Sequence, residues 1–276
     1  MISRYGWRGP LLALALASCG VEQRAPATGD APPPPAGERG RIVFLGASLT
    51  AGLGLDPSQA YPALIQRRLD AEGLPFETVN VGVSGETSAG ARRRIDWVLR
   101  EPAAVLVVET GANDGLRGLE VDSLRSNIQA IIDEAERLSP KPAIVLVGMR
   151  APPNLGSDYA RRFDRVYPEL ARKNDLPLVP FLLDGVAGRP ALNQADMIHP
   201  TAEGQKRMAE TVWEVLEPLL KRRGEARCAS ARRPARRWRG RSPPRCCSSA
   251  VRCAGRRQPA SGPCRSRRPH ARRSWC

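Results

Sequence analysis

Two short stretches of this chain hold side chains suited to nucleophilic chemistry. Ser48 stands in Gly46-Ala47-Ser48-Leu49-Thr50-Ala51-Gly52, and Asp196 and His199 stand in Asp196-Met197-Ile198-His199-Pro200. The chain has two histidines, and His199 is the one outside its last fifty residues. Imidazole titrates nearest neutrality of all side chains, so metal-free hydrolysis would draw on His199 as its base. A competing reading is bland: a lone histidine beside a loop is commonly a surface or capping residue, and Asp196 ahead of Thr201-Ala202-Glu203 also suits a helix start. A serine hydroxyl is a poor nucleophile unless a base takes its proton, and the base works best when a carboxylate fixes its tautomer. His199 and Asp196 can fill those two roles if their loop folds back over Ser48. Alone, Ser48 could be a helix N-cap, and its flanking glycines could suit a phosphate-binding turn. No Walker lysine follows, however, and the glycine spacing does not spell the dinucleotide fingerprint.

Bringing such distant residues together requires a particular scaffold. Short apolar, β-branched runs at 42–45, 78–81, 105–108, 144–147 and 178–183 read as buried parallel strands. Helical stretches lie between and after them, at 59–72, 87–100, 122–138, 158–174 and 202–220. In 123–138, Leu124, Ile128, Ile131, Ile132, Ala135 and Leu138 fall mostly three and four apart and form one apolar face. The alternation predicts an α/β fold, a three-layer α/β/α sandwich around a five-stranded parallel sheet. Ligands of such sheets bind beyond the carboxyl ends of the strands, near the topological switch point.

The loops at that edge carry complementary groups. Ser48 follows the first strand, Gly82-Val83-Ser84-Gly85-Glu86 the second, Glu109-Thr110-Gly111-Ala112-Asn113-Asp114 the third, and Asp196 and His199 lie beyond the fifth. Backbone N–H groups of Ser48 and Gly85, with the side-chain amide of Asn113, could point at a developing oxyanion. Asn113 could equally be an Asx-turn residue in its glycine-rich loop. Glu109 and Asp114 read as supports of turn or loop, since Asp196 already fills the orienting role. Leu116, Pro152, Pro153 and Leu155, on loops that begin near Leu116, Met149 and Leu183, are apolar enough to face an acyl chain, or to pack the loops themselves.

The ordered blocks Gly46-Ala-Ser-Leu, Gly85, Gly111-Ala-Asn-Asp and Asp196-x-x-His199 resemble the SGNH, or GDSL, hydrolase superfamily, whose four named residues match Ser48, Gly85, Asn113 and His199. The resemblance spans about Arg41 to Leu220 and implies the flavodoxin-like fold of that superfamily. Residues 111–118, 152–156 and 177–181 look like the bacterial multifunctional thioesterase/lysophospholipase and arylesterase branch. That branch implies hydrolysis of acyl esters and thioesters through an acyl-serine intermediate, with no cofactor and no metal. Ala47 departs from the pattern, which usually places Asp there, so altered hydrogen bonding around the nucleophile is expected. A carbohydrate deacetylase on the same scaffold is the alternative enzyme.

The two ends of the chain differ from its middle. Residues 1–19 read as a lipoprotein-type signal: Arg4 and Arg8 precede a short apolar run ending in Leu16-Ala17-Ser18-Cys19, which resembles a lipobox. A lipid on Cys19, followed by Gly20, would anchor the exported protein at the periplasmic side of the outer membrane; a soluble periplasmic or secreted protein is the alternative. Residues 20–40 are a Pro/Ala-rich linker. Residues 41–223 are expected, from the resemblance, to form the hydrolase domain. From Gly224 to Cys276 the chain carries 16 arginines and one acid, so the formal charge of +15 belongs to this tail and the rest is neutral. Six of the seven cysteines lie there too. Almost without aliphatic residues, the tail cannot supply a core; it reads as disordered or as a reading-frame artefact. A nonenzymatic binder of anionic polymer or membrane through this tail is a further reading, although no specific nucleic-acid partner is indicated.

Overall fold

The structure, a computed structural model, describes residues 39–231. The signal sequence with Cys19, the linker up to residue 38 and the tail from residue 232 lie outside the described residues. Five parallel strands form one sheet: β1 (Gly40–Leu45), β2 (Phe76–Asn80), β3 (Val105–Glu109), β4 (Ala143–Val147) and β5 (Leu178–Val179), in the order β2-β1-β3-β4-β5. The order reverses direction between β1 and β3, which places the switch point beside the residue that follows β1.

Strand β3 pairs on both edges, with β1 and with β4, and helices cover both its faces. No position along it reaches water, so Val105, Leu106, Val107 and Val108 are all fully buried, as a continuous apolar run demands. Helices α2 (Tyr61–Ala71) and α7 (Ala202–Ala231) pack together, while α3 (Ser88–Val98) packs on α5 (Val121–Arg137) and α5 on α6 (Ser157–Lys173). The expected stripe on α5 is buried at Leu124, Ile128, Ile131, Ile132 and Ala135. No helix among the described residues is long and apolar enough to cross a membrane.

Three departures from the sequence reading have local causes. The run 178–183 yields only a two-residue β5, because the pairing slips by one residue after Val179: the Leu182 N–H, rather than that of Phe181, reaches Gly148 O at 3.0 Å before the chain turns away. The glycine-rich turns after β1 and β3 contain short helices, α1 (Ser48–Ala51) and α4 (Ala112–Leu116), where loops are expected. Helix α7 continues to Ala231, past both its expected end at Leu220 and the expected domain limit at 223.

Candidate active site

Ser48 is the first residue of α1, so its N–H belongs to the first turn, which has no intrahelical acceptor. Its Oγ lies 2.9 Å from His199 Nε2, and His199 Nδ1 lies 2.6 Å from Asp196 Oδ2. The three side chains form one line from hydroxyl to imidazole to carboxylate. Asp196 Oδ1 accepts the N–H groups of Ile198 and His199, both at 3.0 Å, so one carboxylate orients the ring and closes the turn that carries it. The His199 ring hydrogen bond, followed by these backbone bonds, holds the Asp196 carboxyl well below the usual carboxylate range. Met197 adopts a positive φ of 58° within this turn.

The histidine loop is tied down on both sides. Asn193 pairs with Pro200 as an isolated antiparallel bridge, and its side chain donates to Val186 O and Arg189 O. Gln194 Nε2 donates to Leu53 O at 2.8 Å and to Pro200 O at 3.0 Å, joining the loop to the chain just after α1. Gln205, at the start of α7, accepts from Tyr61 N–H and donates to Leu49 O. Sequence reading singled out neither glutamine. Their signal is only polarity beside the Asp196–His199 stretch, and each has a backbone acceptor more than a hundred residues away.

Glu109 supports the serine turn from beneath. Fully buried at the end of β3, its Oε2 accepts the Ala47 N–H at 3.0 Å and the Thr50 hydroxyl at 2.8 Å. Burial pushes the Glu109 carboxyl up, against the lowering effect of those hydrogen bonds. No room exists for a side chain at Gly46, whose Cβ would collide with Thr50 and the Glu109 carboxylate. Ala47 itself is buried, so the carboxyl group beside the nucleophile turn comes from β3 rather than from residue 47.

The second and third loops meet this turn through polar bonds. Gly85 has φ +79°, and its added Cβ would meet only Arg117 Nη2 at 3.9 Å. Conformation rather than crowding by neighbouring protein atoms therefore requires glycine there. Asn113 Nδ2 donates to Glu86 O at 3.0 Å, which fixes one amide hydrogen and leaves the other to turn into the cleft. Glu86 takes a bidentate guanidinium from Arg94, with contacts of 2.6–3.0 Å, and Arg94 also reaches Gly46 O at 3.4 Å. Asp114 accepts both the N–H and the hydroxyl of Ser88, at 2.8 and 2.5 Å, so it supports the loop, as expected. Arg94 and Ser88 escaped sequence reading because a helix holds them against loops on other strands.

Ser48, Gly85, Asn113 and His199 all line one cleft of about 680 Å³, within the range of small-molecule sites. Leu53, Leu116, Met149, Pro152, Pro153, Phe181, Leu183, Met197 and Ile198 share that lining. Leu155 does not; it lies against Gly118, and so packs a loop. Among the described residues no group of three or more His, Cys, Asp or Glu side chains is placed to hold a metal ion. Chemically, the arrangement can remove a proton from Ser48 and stabilise negative charge beside it in an apolar cleft.

Residues 44–207 match the GDSL-like Lipase/Acylhydrolase family. Esterase TesA of Pseudomonas aeruginosa is 42% identical over 180 residues, covering 65% of this chain and 89% of that protein. Thioesterase 1/protease 1/lysophospholipase L1 of Escherichia coli is 34% identical over 181 residues, covering 65% and 84%. The crystal structure of the psychrotrophic esterase EstA from Pseudoalteromonas sp., inhibited by monoethylphosphonate, superposes with a TM-score of 0.62 at 30% identity, covering 66% of this chain and 98% of that one.

Proposed function

The chain belongs to the GDSL-like lipase/acylhydrolase family and hydrolyses carboxylic ester or thioester bonds, and from that premise we propose that Ser48 is its nucleophile, His199 its general base and Asp196 the group that orients the base. The observation that carries these roles is the unbroken line of contacts from Ser48 Oγ through His199 to Asp196. As Ser48 Oγ attacks the acyl carbon, Nε2 takes its proton, and Asp196 holds the proton on Nδ1 and stabilises the imidazolium. The oxyanion of the tetrahedral intermediate receives the N–H groups of Ser48 and Gly85 and the free amide hydrogen of Asn113. His199 then protonates the departing oxygen or sulfur, and water repeats the sequence to release the acid and restore Ser48.

The apolar cleft wall favours acyl chains over sugars, which would need polar partners along it. Ser48→Ala tests the assignment. It should abolish p-nitrophenol release from short acyl esters while circular dichroism stays that of the parent, and activity equal to the parent would sink it.

We infer further that Cys19 carries a lipid and holds the exported protein at the periplasmic side of the outer membrane. The support is the apolar run ending in Leu16-Ala17-Ser18-Cys19 behind two arginines. Labelled palmitate should enter the parent and not Cys19→Ser; equal labelling of both would remove the inference. On this reading residues 41–223 act as the catalytic domain, joined to Cys19 by the Pro/Ala-rich stretch 20–40, and the tail from 224 has no part in hydrolysis.

A further inference from the structure

Among the residues lining the cleft, Arg150 alone carries a permanent charge. It follows β4 by three residues and is exposed. Its guanidinium carbon stands 4.7 Å from the centroid of the Phe181 ring, and Phe181 lines the same cleft. Stacking occupies the face of a guanidinium and leaves its in-plane N–H donors available. No carboxylate among the described residues is paired with it, and the nearby Asp164 instead accepts the Ala151 N–H at 3.2 Å. A cation so placed, in a mostly apolar cleft, has no task in the transfer of a proton from Ser48 to His199.

Sheet geometry sets its distance from the reaction. Ser48 follows β1 and Arg150 follows β4, with β3 between them, so the two turns are separated by two strand spacings, about 10 Å. With carbon–carbon bonds of about 1.5 Å, an anion meeting Arg150 would sit roughly five to ten bonds from the reacting carbonyl.

We propose that Arg150 is an anion-recognition residue of this cleft, selecting esters and thioesters whose arm along the cleft carries a carboxylate or phosphate. The planar fork of donors, steadied by Phe181, suits either oxyanion bidentately. The inference rests on the Ser48-dependent esterase reading above. The anion could ride on the acyl arm or on the leaving group, and the same residue would serve both.

Two matched substrate pairs distinguish these sources. One pair is p-nitrophenyl octanoate and the p-nitrophenyl monoester of octanedioic acid; the other is hexyl acetate and the acetate ester of 6-hydroxyhexyl phosphate, followed by acid release. The full chain and its Arg150→Gln and Arg150→Lys variants are compared by the ratio of kcat/KM for the anionic over the neutral member. In at least one pair the ratio should fall about tenfold in Gln and only partly in Lys, and the parent's ratio should shrink as sodium chloride rises. The pair that responds identifies the arm. Ratios unchanged by Arg150→Gln in both pairs, in a protein that hydrolyses the neutral esters through Ser48, overturn this proposal alone. Failure of the parent to hydrolyse any of the four overturns the esterase reading and this proposal together.

Discussion

Asp196→Asn isolates the contribution of a fixed histidine tautomer, because it keeps the shape of the side chain while removing its charge and one acceptor. In the parent, Oδ1 holds the backbone of Ile198 and His199 at 3.0 Å, and Oδ2 faces His199 Nδ1 at 2.6 Å. The carboxyl is held well below the usual carboxylate range, chiefly by the His199 ring, so it is ionised at any pH suited to an esterase assay. In the variant the amide oxygen can keep both backbone bonds, and the NH2 group takes the place of Oδ2. An amide N–H cannot accept from Nδ1, so the ring presents a bare Nδ1 and carries its proton on Nε2. That is the atom 2.9 Å from Ser48 Oγ, and once protonated it cannot accept the hydroxyl proton.

Where the aspartate of such a triad is buried, this substitution lowers kcat by about 10⁴. Asp196 is different: its side chain is 45% exposed, so water can compete for Nδ1 and restore the productive tautomer part of the time. The lower bound is the loss of one charge-assisted hydrogen bond, roughly tenfold. The expected fall in kcat/KM is therefore about 100-fold, between those limits. Initial rates of p-nitrophenyl acetate hydrolysis measure it, with circular dichroism to verify the fold. A rate within threefold of the parent would refute the tautomer argument, and a loss beyond 10⁴ would refute the discount for exposure.

Asn113→Ala should lower kcat about 100- to 1,000-fold, equivalent to about 2.7–4 kcal/mol, with little change in KM, because the lost donor acts mainly on the developing oxyanion. Steady-state kinetics check this, and a rise in KM at constant kcat would place Asn113 in substrate binding instead. Glu109→Gln should become progressively more stable than the parent as pH rises. Burial raises the folded carboxyl above its unfolded value, so the stability contributed by the neutral form is complete below about pH 4 and is lost as pH rises toward the folded value. Between those limits the difference should grow by about 1.4 kcal/mol per pH unit. Urea unfolding across pH 4–9 reads it, and a difference that does not vary with pH contradicts the upward shift of the buried carboxyl.

Much of this protein was legible because its chemistry repeats the periodicity of its elements. The continuous apolar run of β3 and the single stripe of α5 each permit one burial pattern, and alternating strands with helices restricts the sheet to parallel crossovers. That arrangement sends the residues after each strand to one edge, which is why Ser48, Gly85, Asn113 and His199 could be named without coordinates. The short length of β5 was not legible because apolar content does not show where pairing slips by a residue, as it does after Val179. Which of the apolar loop residues face the cleft and which, like Leu155, pack a loop stayed open in the sequence, because an apolar residue on a loop has no period to say which way it faces.

The amino-acid sequence by itself determined which candidate groups for catalysis exist and which strand ends carry them, since residue type and local pattern are properties of neighbours along the chain. Only the tertiary structure decided how those groups are held. The Glu109 carboxylate beneath the serine turn, Arg94 joining Glu86 to Gly46, the two glutamines bracing the histidine loop and Arg150 stacked on Phe181 are all contacts across loops or strands. Hydrogen bonds and stacking act over a few ångströms in space, and folding sets which distant residues come within that range.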